Sequence, residues 1–145
     1  TILNTKMKFR YLDHTADIKF QAYGDSLEEA FSNSALAIYN SIVDIDNVKP
    51  VLKFKVNSKA KKLMTLLYEF MEELIILLDT EGFIATKINT LTINEDDQGY
   101  EIHATLSGDE AKNYETHGDI KAMTYSDMEI KEKDGKFMIQ VVLDI

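Results

Sequence analysis

The chain has 145 residues, enough to bury a full core in a single domain spanning residues 1–145. It has no cysteine, which excludes disulfides, zinc–thiolate sites and thiol nucleophiles. Its 16 basic and 25 acidic residues leave a net charge of −9, which disfavours direct phosphate-backbone binding and suits a cation or a partner with a basic surface.

The opening TILNTKMKFR has no apolar run of signal-peptide length, and Met7 is compatible with a start preceded by extra residues. Residues 7–13 and 17–23 read as extended. In the second run Ile18, Phe20 and Ala22 alternate with Asp17, Lys19 and Gln21, the period of a half-buried strand. Extending that alternation backwards puts Asp13, Thr15 and Asp17 on one face and His14 on the other, as a packing or orienting residue. YGDSLEE then stops the strand: Gly24 permits the turn, and Ser26 with Glu29 forms a capping box. Leu27, Phe31, Ser34, Ala35, Ile38 and Ile42 recur at helical steps and predict one apolar face on a helix ending near Val43.

DIDNVKP is a polar connector, and VLKFKV alternates as a strand. A second helix is expected from about Ala60 to Asp79, with Ser58 as N-cap, Gly82 as stop, and Leu63, Leu66, Leu67, Phe70, Leu74 and Leu77 as its buried stripe. Its apolar run Leu74–Leu78 is far shorter than the roughly 20 residues of a membrane span. FIATKINTLTI and YEIHATLSG read as strands around a turn in NEDDQG. DEAKNYETHGD is irregular with one helical turn. IKAMTYSDMEIKE and KFMIQVVLDI flank Asp134-Gly135, a strong hairpin signal. Helices early and consecutive strands late argue α+β: two layers, with two helices on one face of a mixed, largely antiparallel sheet.

His14, His103 and His117 show no metal-ligand spacing, no G-x-S-x-G elbow is present, and the six glycines form no phosphate loop. His103 reads as structural and His117 as a solvated loop residue. Asp44, Asp46, Asp96 and Asp97 suit turns. Asp144 is different, because it ends an apolar strand and is followed by Ile145 with its main-chain oxygens. If Asp17 lies beside it, two carboxylates 4 Å apart repel by ~4 kcal/mol at an effective dielectric near 20. A proton or a hard cation, Ca²⁺, Mg²⁺ or Mn²⁺, would offset that repulsion. Lys121, at a strand entrance, reads as an edge charge unless it flanks this cluster. Asp17, Asp144 and His14 would then also allow a metal-dependent hydrolase.

DHTADI at 13–18, YGDSLEEAF at 23–31, LLYEFMEELIILLDTEGF at 66–83, KAMTY at 121–125 and the closing VVLDI at 141–145 together resemble the archease family, from about Lys8 to Ile145. The resemblance implies a small cytoplasmic, non-enzymatic α+β protein that assists tRNA splicing and RNA repair. It would activate an RtcB-type RNA ligase, which joins 3′-phosphate ends using GTP and Mn²⁺, by promoting guanylylation and turnover. A chaperone-like effect on a tRNA cytosine-5 methyltransferase is the alternative. Position by position, the resemblance makes Asp17, Asp144 and Ile145 ligands of a divalent ion, usually calcium, and Lys121 the residue needed for ligase activation. Ser126 stands where family members often carry histidine.

Overall fold

The computed structural model describes residues 7–14 and 16–145. Residues 1–6 and Thr15, with the expected place of Thr15 beside Asp13, lie outside the described residues. The elements run β1 (Phe9–Leu12), β2 (Asp17–Gly24), α1 (Leu27–Asn40), β3 (Leu52–Ala60), α2 (Leu63–Glu81), β4 (Phe83–Asp96), β5 (Gly99–Glu110), β6 (Ala122–Lys133) and β7 (Lys136–Asp144). Short 3₁₀ turns occupy Ile45–Asn47 and Ala111–Asn113.

The architecture is α+β, as expected, with the strands divided between two sheets. One has the order β1-β2-β7-β6 and the other β3-β5-β4, and every described pairing is antiparallel. Each helix serves both sheets. Helix α1 packs on β2, β7 and β4, and α2 on β3, β5, β4 and β6. A helix enclosed from two sides needs more than one apolar stripe. Accordingly α1 buries Ala30, Phe31 and everything from Asn33 to Tyr39. Aromatic contacts join the layers: Phe31 lies 6.2 Å from Phe70, Tyr39 meets Phe83 edge-on at 6.2 Å, and Phe54 lies 4.7 Å from Phe83. The buried Tyr39 hydroxyl donates to Leu74 O at 2.9 Å, tying α1 to α2.

Local chemistry sets the element ends. Ser26 Oγ accepts from Glu29 N–H at 3.0 Å, and Glu29 Oε1 reaches back to the Asp25 N–H at 2.7 Å, a box closed one residue earlier than the sequence implies. Helix α1 stops at Asn40 rather than near Val43; the Asn40 side chain accepts from Ile45 N–H at 3.3 Å and turns the chain. Helix α2 starts at Leu63, not Ala60, and Ser58 does not cap it. Residues Asn57 to Ala60 continue β3, paired with His103 to Tyr100 of β5, because ladder bonds satisfy more backbone groups than one side-chain cap. Gly82 ends α2 as expected, at φ 62°, donating to Leu77 O and Leu78 O. Asp134 and Gly135, at φ 53° and 76°, make the two-residue hairpin of β6 and β7.

Gly108 marks the closest approach of β5 to β4, where a Cβ atom would lie 1.8 Å from Ile84 O. Gly108→Ala is expected to destabilise the fold by about 1–3 kcal/mol or more, read as a lower urea midpoint.

Candidate functional site

At one end of the four-stranded sheet three strand termini form a row. Asp17 opens β2 directly opposite Asp144, which closes β7, and Asp144 also pairs with Ala122 at the start of β6. The Lys121 N–H donates to Asp144 O at 2.8 Å, just outside β6. Ile145 follows, 40% exposed. The register thus gathers all four residues singled out in the sequence: Asp17, Asp144, Ile145 and Lys121.

The alternation extended back from Asp17 to Asp13 does not hold. Ala16 takes φ 64°, a left-handed conformation that breaks the alternation. His14 is therefore not on the face opposite Asp17; its Nδ1 lies 3.5 Å from Asp17 Oδ2. It orients that carboxylate from the adjoining turn.

Carboxylates directly across a ladder are destabilising. The Asp17 side chain is 32% exposed and Asp144 is exposed. Two such charges about 4 Å apart repel by ~1 kcal/mol in bulk water and ~4 kcal/mol at an effective dielectric near 20, so exposure to solvent weakens the repulsion. Two carboxylates joined by the main-chain oxygens of Ile145 would offer only hard oxygens, the ligand type of calcium, magnesium and manganese. Among the described residues no group of three or more His, Cys, Asp or Glu side chains forms a metal cage. The carbonyl of Asp144 already accepts from Lys121. A cation here would draw its remaining ligands from water.

Beside Asp17 lies an open cavity of about 290 Å³, lined by Tyr11, Lys19, Asn40, Ser41 and His117 among others. It sits at the C-terminus of α1, the negative end of the helix dipole, and its lining carries one carboxylate, Asp17, and one ammonium, Lys19. The Tyr11 hydroxyl donates to Ala37 O at 2.7 Å, and Asn40 Nδ2 donates to the Tyr11 hydroxyl at 3.3 Å. Burial pushes the Tyr11 phenol up to about 12, with the Asn40 bond easing it slightly.

The remaining candidates are loop, surface and turn residues. His117 is exposed at the cavity rim and its N–H donates to Ile42 O at 2.8 Å. His103 bridges Asn57 at 2.7 Å and Glu101 at 3.3 Å on the outer face of β5. Asp44 Oδ1 accepts from Asp46 N–H, and Asp96 Oδ1 from Gln98 N–H, both as turn residues.

One feature near the row was missed in the sequence. Strand β6 bulges between Thr124 and Glu129, and Tyr125 is thrown onto Tyr68 of α2, with ring centroids 4.1 Å apart and planes 11° apart. A signal existed. Met123 and Met128 are both buried, yet they are five residues apart, an odd spacing that an unbroken strand would place on opposite faces.

The archease protein family (MTH1598/TM1083) matches residues 9–145. The protein archease of Methanosarcina mazei is 38% identical over 142 residues, covering 95% of this chain and 96% of that one. The solution structure of Methanobacterium thermoautotrophicum protein 1598 superposes with TM-score 0.81 at 31% identity, covering 95% of this chain and 99% of that chain. A Thermotoga maritima crystal structure, described as an archease and possible chaperone, matches with TM-score 0.60 at 18% identity, over 94% of this chain and 96% of that one. At that identity the likeness is one of fold. The chain belongs to the archease family, and none of its described helices is long and apolar enough to cross a membrane.

Two outcomes follow from this geometry. Asp144→Asn removes one of two opposed charges, so in chelator it should raise stability by roughly 0.2–1 kcal/mol, more at low salt, as measured by urea unfolding. The Tyr11 phenol ionises near 10.0 in the unfolded chain and about 12 in the fold, so folding favours its protonated form. Its stabilising contribution is complete below the first value and lost as pH rises through the second. Tyr11→Phe should make stability fall less steeply across that window, followed by circular dichroism.

Proposed function

We propose that this chain is a non-enzymatic, cytoplasmic activator of an RtcB-type 3′-phosphate RNA ligase, acting through the end of the sheet that carries Asp17, Asp144, Ile145 and Lys121. The observation that supports this reading most is the register that sets Asp17 opposite Asp144 while Lys121 bonds to Asp144. Residues matched to the family's functional positions at distant points of the sequence are neighbours in space. Asp17, Asp144 and the main-chain oxygens of Ile145 would hold a divalent ion, calcium first, with magnesium or manganese as substitutes. Bound there, the ion would neutralise the opposed carboxylates and stiffen the strand ends.

The protein's own residues then do the work of recognition. The acidic end of the sheet attracts a basic partner and orients it during approach. Lys121 presents a single cation beside the row. Binding that favours the ligase's guanylylation-competent arrangement over its resting one raises the rate without chemistry on this chain.

Acidic charge also suits a second reading, a chaperone-like partner of a tRNA cytosine-5 methyltransferase, and the Thermotoga maritima relative is described as a possible chaperone. Co-purification from the host separates the two. The hydrolase alternative gains little from the geometry, because the carboxylates lie at an exposed sheet end and His14 is turned onto Asp17.

Ligase guanylylation measured with and without the protein tests the main reading. Wild-type protein should accelerate it, and Asp17→Ala, Lys121→Ala or removal of residues 144–145 should each reduce the acceleration by about tenfold or more, the scale of a lost hot-spot contact. No acceleration by the wild type, or full acceleration by Asp17→Ala, would overturn it. Calcium should raise the melting temperature of wild type and not of Asp17→Ala.

A further inference from the structure

The bulge in β6 is an expensive local structure that buries Met128 and places Tyr125 on α2. Thr124 pairs with Val142 and Glu129 with Gln140, so five steps along β6 answer two along β7 and three residues are extruded. Asp127 takes φ 56°, a strained conformation for a residue with a side chain. Three contacts hold it there. Ser126 N–H donates to Thr124 Oγ1 at 3.0 Å, Lys19 Nζ lies 3.3 Å from Asp127 Oδ2, and Gln140 Nε2 donates to Asp127 O at 2.9 Å. What they fix is Tyr125, flat on Tyr68 and still 53% exposed. Scattered surface aromatics are ordinary. A tyrosine pair held in parallel by a strained excursion braced from β2 and β7 is not, and bulges commonly serve to re-aim a side chain at a functional surface.

The surroundings define what this face can receive. Glu72 and Ile76 follow Tyr68 at the next two turns of α2, and Ile76 is 45% exposed. On α2 Glu72 stands at i+4 from Tyr68, on the same helix face, and Glu69 adjoins Tyr68 in sequence; burial first, then Glu72, Tyr125 and Glu69, push the Tyr68 phenol up. A flat π-face edged by carboxylates matches a guanidinium group, which stacks on the ring while pairing with a carboxylate in its own plane. An ammonium group fits less well, because it cannot stack. The chain's charge of −9 favours a basic protein over an acidic or nucleic-acid partner. The patch also continues the row described above. Tyr125 is four residues along the chain from Lys121, on the order of 13 Å in extended chain, well within the footprint of one protein interface.

We propose that Tyr125, stacked on Tyr68 and edged by Glu69 and Glu72, is an anchor for an arginine side chain of a basic protein partner. The identity of that partner rests on the ligase reading; the chemistry of the patch does not.

Two measurements test this. In the first, the isolated protein is titrated with the peptide Gly-Arg-Arg-Gly and followed by amide NMR. Saturable shifts should centre on Tyr68, Glu72 and Tyr125. Gly-Lys-Lys-Gly should bind several-fold more weakly, Tyr125→Phe should retain the shifts, and Tyr125→Ala should lose them. Shifts spread equally over the Asp96–Asp97 turn, or unchanged in Tyr125→Ala, would overturn the proposal. In the second, ligase affinity is measured for wild type and Tyr125→Ala, with thermal melts confirming that both fold. A dissociation constant raised by about tenfold or more, the effect of losing an interface hot spot, supports the anchor, and a change within about twofold refutes it. If wild type itself does not bind the ligase, the proposed function fails and the peptide titration alone decides this proposal.

Discussion

The pairing of β2 with β7 is the constraint from which the site follows. Side chains alternate along both strands, and their inner faces are buried: Phe20 and Ala22 on one, Ile139, Val141 and Leu143 on the other, all at 0% exposure. A slip of one residue would turn each of these outward. Burying one such large side chain contributes about 1.5–3 kcal/mol. Carboxylates facing one another across a ladder cost at most about 1 kcal/mol. Core packing therefore dictates the register, and the opposition of Asp17 and Asp144 is a consequence the fold tolerates. The molecule can hold an electrostatically unfavourable pair at the sheet end because the interior beneath it leaves no other alignment.

Strand β2 also links the row to the bulge. Asp17 faces Asp144 at its first position, and two residues on, Lys19 pairs with Asp127 and steadies the excursion that carries Tyr125. The start of β6 spans the two features, from Ala122, next to Lys121 and paired with Asp144, to Tyr125 stacked on Tyr68 of α2. These exposed side chains thus sit on, or within a few residues of, paired strands rather than on long loops. The helices support it from beneath. Because α1 and α2 each pack on both sheets, their aromatic contacts lock the two sheets to one another.

Hydropathy period, caps and turn residues made the secondary structure legible in the sequence. The alternation of residues 17–23, the Ser26–Glu29 box, Gly82 as the end of α2 and the Asp134-Gly135 hairpin all rest on interactions within a few residues, and all are present. The resemblance to the archease family was legible for another reason: its motifs are strings, and their order survives whatever the fold does with them. The misreadings fall where local preference met a long-range partner. Ser58 has the chemistry of a helix cap, yet it lies in β3 because Ile102 of β5 is opposite it. The alternation extends from Asp17 back to Asp13 in the sequence, yet Ala16 takes a left-handed turn just before Asp17 pairs with Asp144 of β7.

The sequence by itself determined the element types, the α+β class, the acidic character and the residues most worth watching. Only the tertiary structure decided that the strands form two sheets, that His14 lies against Asp17, that β2 and β7 set Asp17 opposite Asp144, and that Tyr125 lies on Tyr68. The physical reason is that hydrophobic periodicity records which side of an element is buried and says nothing of the neighbour that buries it. Ladder partners, registers and bulges are settled by hydrogen bonds and packing between segments as far apart as β2 and β7, once the whole core has closed.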